Sequence, residues 1–96
     1  MQLTVSGQHI DITDALRDHV HRRMDRIERH NSDLQRVEVT LIVDGDRRRA
    51  EANASLRGGN AFVHAENSDM YAAVDELADK LDRQVRRHRE KRTEHR

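Results

Sequence analysis

Val37-Glu38-Val39-Thr40-Leu41-Ile42-Val43-Asp44, Ala50-Glu51-Ala52-Asn53-Ala54-Ser55-Leu56 and Ala61-Phe62-Val63-His64-Ala65-Glu66 are the three runs that decide the fold. In each, an apolar residue recurs at every second position. Side chains along a strand point alternately to opposite faces, so each run offers one apolar face to a core. Asp44-Gly45-Asp46 is a turn signal, and Gly58-Gly59 supplies positive-φ residues for a tight hairpin. The reading is three successive antiparallel strands.

Upstream, Leu3 and Val5 alternate with Gln2 and Thr4 up to Gly7, a short strand with one buried face. Thr13 is placed to cap a helix, with Asp14 in the first turn where the helix dipole favours an anion. Leu16, Val20, Met24 and Ile27 follow at spacings of four, four and three, a single helical stripe. Asn31-Ser32-Asp33 ends it. Downstream, Asn67-Ser68-Asp69 caps a second helix whose stripe is Met70, Val74, Leu77, Leu81 and Val85. The order is β-α-β-β-β-α, an α+β domain with a four-stranded sheet and two helices packed on one face. Small alanines on the third strand let a helix come close. One domain is expected over 1–92, with a basic tail fraying over 93–96. The expected core includes Leu16, Val20, Met24, Ile27, Val39, Leu41, Leu56, Val63, Val74, Leu77 and Leu81.

Only 34% of the 96 residues are apolar and 2% aromatic, so aliphatics and alanine must build this core. The absence of cysteine excludes disulfides and thiolate metal sites. No apolar run approaches a membrane span, and Met1 to Gly7 lacks a signal-peptide pattern, so the cytoplasm is the default compartment. The formal net charge is zero, but it is unevenly spread. From His64 to Asp82 six acids stand against Lys80 alone, while from Arg83 to Arg96 seven bases stand against Glu90 and Glu94. Sixteen of the 18 basic residues are arginine, whose planar fork matches phosphate oxygens.

Catalytic arrangements are missing. The four serines fall in turns or on an exposed strand face, and Gly58-Gly59 lacks the helix and lysine of a phosphate loop. Asp44 and Asp46 lie in a turn, where they are solvated. An enzyme is not expected, nor is a cofactor. The seven histidines show no zinc-type spacing, and His19 and His21 lie on different helix faces, so no metal site is expected.

Nucleic-acid binding is the reading the charges favour. Lys80, Arg83, Arg87 and Lys91 recur at three, four and four residues along the second helix. Arg22, Arg26 and Arg29 do so at four and three along the first, with Arg23 at the edge of its apolar stripe. With both helices on one side of the sheet, the two ridges are expected to converge on a groove for a polyanion backbone. The competing reading is a solvated surface neutralised by pairs such as Asp18–Arg22 and Glu76–Lys80. Phe62, the one phenylalanine, falls on the polar face of its strand and is open to base stacking, packing on the Arg47-Arg48-Arg49 hairpin or a dimer contact; with aromatic platforms nearly absent, single-strand binding by stacked aromatics is disfavoured.

Met1-Gln2-Leu3-Thr4-Val5-Ser6-Gly7, the helix start Ile12-Thr13-Asp14-Ala15-Leu16-Arg17, the Gly58-Gly59 hairpin and above all Asp69-Met70-Tyr71-Ala72-Ala73-Val74-Asp75 resemble the ribosome hibernation promoting factor family. Its relatives include the ribosome-associated inhibitors and the sigma-54 modulation proteins. The resemblance covers essentially the whole chain and implies the same β-α-β-β-β-α fold. It also implies binding to the small ribosomal subunit at the decoding region, where messenger and transfer RNA would sit. The consequence is inhibition of translation in stationary phase or starvation. By position, the implied ribosomal RNA contacts are Arg17, Arg23, Arg26, Lys80, Arg83, Arg87, Arg89 and Lys91. Arg22, Arg29 and Arg86 are basic here and match the family pattern less closely. The Arg47-Arg48-Arg49 hairpin departs from that pattern. The length resembles the short form of the family, which implies a monomer when free and a need for the separate ribosome modulation factor in ribosome pairing. Two other readings are weighed. One is a generic double-stranded RNA-binding module, which shares the order α-β-β-β-α but has no matching motif here. The other is a structural oligomer built on Ile42 and Phe62.

Overall fold

The computed structural model describes residues 1–94, with side chains through Lys91. Its elements are β1 (Gln2–Gln8), α1 (Asp14–His30), β2 (Leu34–Asp44), β3 (Arg47–Leu56), β4 (Gly59–Asn67) and α2 (Met70–Glu94). The strands form one sheet in the order β1-β2-β3-β4. β2, β3 and β4 are an antiparallel meander, as the alternation and turn signals required. β1 joins the edge in parallel to β2, with Val5 opposite Val39, and α1 is the crossover between them. Of the tail expected to fray over 93–96, Thr93 and Glu94 lie in the last turn of α2, and 95–96 fall outside the described residues.

Both helices cover the face of the sheet that carries the apolar alternation. Every residue of the expected core is buried there, joined by Leu34, Val37, Met70 and Val85. Ala50, Ala52 and Ala54 are buried on β3 and pair with Ala65, Val63 and Ala61 of β4. This low alanine floor admits the body of α2. Thr13 caps α1, its Oγ1 accepting from the Leu16 N–H at 3.2 Å. Asp69 caps α2 in the same way, accepting from the Tyr71 N–H at 3.1 Å. Each cap removes one unpaired helix donor, a contribution of about 1 kcal/mol.

The two hairpins differ from the expectation in one respect. Gly45 adopts φ +59° at the first position of its two-residue loop, as a type II′ turn requires. In the second hairpin only Gly58 has positive φ, at +79°. Gly59 instead opens β4, and its lack of a side chain serves packing. A Cβ there would sit 2.7 Å from the His88 ring, whose Nε2 donates to the Arg57 carbonyl at 2.8 Å. The second glycine therefore seats α2 on the hairpin.

No helix among the described residues is long and apolar enough to cross a membrane.

Candidate nucleic-acid interface

The acids of α2 are largely used inside the molecule. Asp75 accepts from His19 Nε2 at 2.7 Å and lies 3.4 Å from Arg23 Nε. Arg23 also donates to the Asp79 carboxylate at 3.0 Å and to the Asp75 carbonyl at 3.3 Å. Asp82 accepts from Asn31 Nδ2 at 3.3 Å and pairs with Arg86 at 2.9 Å. Except for the Asp82–Arg86 pair, which lies within α2, these contacts fasten α2 to α1 along one side. Tyr71, in the segment that carries the family resemblance, sets its ring edge-on to His19 at 5.1 Å. Asp69, Met70, Tyr71 and Ala73 of that segment are thus a cap, a core residue, a helix–helix contact and a second core residue.

Asp75, Asp79 and Asp82 of α2 turn toward α1, and Lys80, Arg83 and Arg87 of the same helix face elsewhere. Lys80, Arg83 and Arg87 line an open groove between α2 and the β4 edge, with Phe62, Val63, His64 and Gln84. Lys80 Nζ donates to the His64 carbonyl at 2.8 Å, which ties the ridge to the strand edge. Arg83 and Arg87 are exposed and have no ion pair among the described residues. Arg89 and Lys91 are exposed further along α2. On α1, Arg17, Arg22, Arg26 and Arg29 are also exposed.

The expected single groove between the two basic ridges does not form. The trough between the helices is lined by Arg23, Arg26, His30 and Arg86 together with Asp79 and Asp82, so it is of mixed charge. The physical reason is the interhelical clamp: a basic ridge cannot turn to α1 when the acidic side of the same helix is held there. Arg23 is part of that clamp and Arg86 is paired with Asp82 of its own helix, unlike Arg83 and Arg87. The neutralising pairs of the competing reading do not form either. Glu76 accepts from Asn67 and Lys80 donates to the backbone, while Asp82–Arg86 is the pair that does form at i,i+4.

The Arg47-Arg48-Arg49 hairpin is internally occupied. Arg47 and Arg49 both hold Glu66, each at 2.9 Å, and Arg49 also holds Glu51 at 2.8 Å. Arg48 donates to the Gly45 carbonyl of its own turn at 3.0 Å. The hydrogen bond from Arg49, reinforced by both guanidinium charges, keeps the Glu66 carboxyl below the usual carboxylate range. Phe62 is not near this hairpin's end of the sheet. It stands opposite Asn53, with the His64 ring 6.0 Å away, and is 51% exposed. The sequence had left its neighbourhood open because α2 approaches it from across the strand edge. Among the described residues, no three His, Asp or Glu side chains gather as a metal site.

The model of the sigma 54 modulation protein / S30EA ribosomal protein family matches residues 3–93. A Pseudomonas putida protein named ribosome hibernation promoting factor is 44% identical over 91 residues, which is 95% of this chain and 89% of that one. The Escherichia coli K12 protein of the same name is 37% identical over 95 residues, 99% of this chain and all of that one. Among solved structures, a ribosomal subunit interface protein from Coxiella burnetii superposes with a TM-score of 0.87 at 28% identity, over 93% of this chain and 98% of that one. The N-terminal domain of Thermus thermophilus Protein Y does so with a TM-score of 0.84 at 37% identity, over 92% and 99%. The relatives are named for ribosome hibernation and not for a reaction. On a match that runs from β1 to the last turns of α2, the chain belongs to the sigma 54 modulation protein / S30EA ribosomal protein family.

Proposed function

We propose that this chain is a ribosome hibernation factor that docks the outer surface of its helix layer on small-subunit ribosomal RNA. The observation that carries the reading is the near-complete likeness to proteins named for that role. The electrostatics support it. Asp75, Asp79 and Asp82 of α2 are engaged by α1 and its C-cap, so a chain of zero net charge keeps basic residues on α2 that no acid pairs among the described residues. Cations that already have partners gain little from a phosphate, whereas unpaired ones release counterions from RNA when they bind.

Arg83, Arg87, Arg89, Lys91 and Lys80 on α2 are the principal phosphate contacts in this reading. Arg17, Arg22, Arg26 and Arg29 on α1 extend the surface. Arg23 holds the two helices in register, Arg86 is spent on Asp82 of its own helix, and both touch RNA only at the margin of the trough. The bound protein occupies the decoding region and excludes messenger and transfer RNA. It acts in the cytoplasm as a monomer, in stationary phase or starvation, on ribosomes that the ribosome modulation factor also engages.

Sedimentation of the purified protein with isolated small subunits, large subunits and whole ribosomes tests the reading. Migration with small subunits and whole ribosomes is expected. Migration with large subunits alone would overturn it.

A further inference from the structure

We infer that the groove between the β4 edge and α2 is a seat for one unpaired RNA nucleotide, with Phe62 stacking the base and Arg83 and Arg87 holding the flanking phosphates. The inference rests on the RNA-binding reading above and adds a site that recognises a base, not only backbone charge.

Four observations converge on it. The first is the position of Phe62, an exposed large hydrophobic ring on the mostly polar sheet face away from the core. An exposed phenyl ring gains by covering its face with another flat ring, and every nucleobase has one. Second, the lining is suited to this occupant. The groove, about 250 Å³, places Phe62 and His64 on one wall and Lys80, Arg83 and Arg87 on the other, with no acid among its lining residues. Third, the cations there are available. Arg83 and Arg87 have no ion pair among the described residues, whereas Arg23, Arg47, Arg49 and Arg86 are committed to carboxylates. Fourth, the walls are held. Lys80 bonds the His64 carbonyl, and Gly59 lets His88 of α2 lie against the hairpin, so the spacing between strand edge and helix is fixed before RNA arrives. A base in a duplex shows only its edges, so the occupant is a nucleotide from a loop, bulge or single strand. Gln84, which also lines the groove, offers an amide donor and acceptor to the edge of the stacked base.

The test compares two probes: a short fluorescein-labelled oligoadenylate RNA, and a matched sugar-phosphate chain without bases. Wild type should prefer the oligoadenylate. Phe62→Ala should weaken oligoadenylate binding roughly 5- to 150-fold, the range for loss of one base stack on an aromatic ring. It should leave the abasic chain bound as before, and Phe62→Trp should restore the preference. Since Phe62 is exposed, the alanine variant folds. Equal binding of both probes by wild type, or equal loss on both probes in Phe62→Ala, would overturn the seat. So would unchanged RNA binding with conversion of a dimer to a monomer, which would make Phe62 a self-association contact. Sedimentation of the same variants with small subunits separates this inference from the one it rests on. Ribosome binding by wild type with no Phe62 effect on either probe removes the seat alone. A Phe62-dependent base preference in a protein that ignores ribosomes removes the hibernation reading and keeps the seat.

Discussion

Replacing Arg83 and Arg87 by alanine removes two cations that have no ion pair among the described residues. Each phosphate contact on RNA contributes about 0.7–0.9 to the slope of log affinity against log salt, so the double variant should have a slope shallower by about 1.4–1.8. Across a rise from about 50 to about 200 mM salt, the gap between wild type and variant should therefore shrink by a factor of about 7–12. Stability should stay within about 0.5 kcal/mol of wild type, because exposed side chains without partners are being removed. Arg47→Ala with Arg48→Ala removes the same formal charge from a place where the structure uses it internally, on Glu66 and on the Gly45 carbonyl. That control should change the slope little. The assay is a titration of labelled small subunits with all three proteins at both salt concentrations, alongside urea denaturation. A wild-type slope in the helix variant, or an equal flattening in the hairpin control, would refute the argument that unpaired cations on α2 hold the RNA.

Two further outcomes follow from the core and from the hairpin clamp. Leu77 is fully buried between α2 and the sheet, so Leu77→Ala should cost about 2–5 kcal/mol in urea denaturation; a cost below about 0.5 kcal/mol would place it outside the core. Glu66 titrates below its ordinary 4.5 in the folded protein, chiefly through the hydrogen bond from Arg49. Its contribution to stability is therefore present above pH 4.5 and is lost as the pH falls through the lower folded value. Glu66→Gln should be less stable than wild type at neutral pH, and the difference should fade on acidification below 4.5; a difference that stays constant with pH would show that the clamp is not electrostatic.

The parts of the fold that were legible in the sequence are those set by local period. Alternation in β2, β3 and β4 and the four-residue stripes of α1 and α2 each follow from how one element buries one face. The parallel pairing of β1 with β2 was not legible, because either edge of the meander would have satisfied the same two apolar residues, Leu3 and Val5. The candidate site was legible as a list of basic residues and not as a surface. Which cations are spent depends on contacts between residues more than 50 positions apart, such as His19 with Asp75 and Arg23 with Asp79. Without those contacts, Arg23 and Arg83 look alike, and two basic ridges look ready to converge. Two local signals did point past the list. Phe62 is out of phase with its strand's apolar face, and Gly58-Gly59 holds one glycine more than the positive φ of its turn uses.

If the protein occupies the decoding region, it and the decoding RNAs compete for one place on the small subunit. The most direct measurement is equilibrium binding of the labelled protein to purified small subunits while messenger RNA and initiator transfer RNA are added together. The two RNAs should displace the protein, and excess protein should in turn release the transfer RNA. Small subunits that carry the protein, the messenger and the initiator transfer RNA at the same time, each with unchanged affinity, would contradict it.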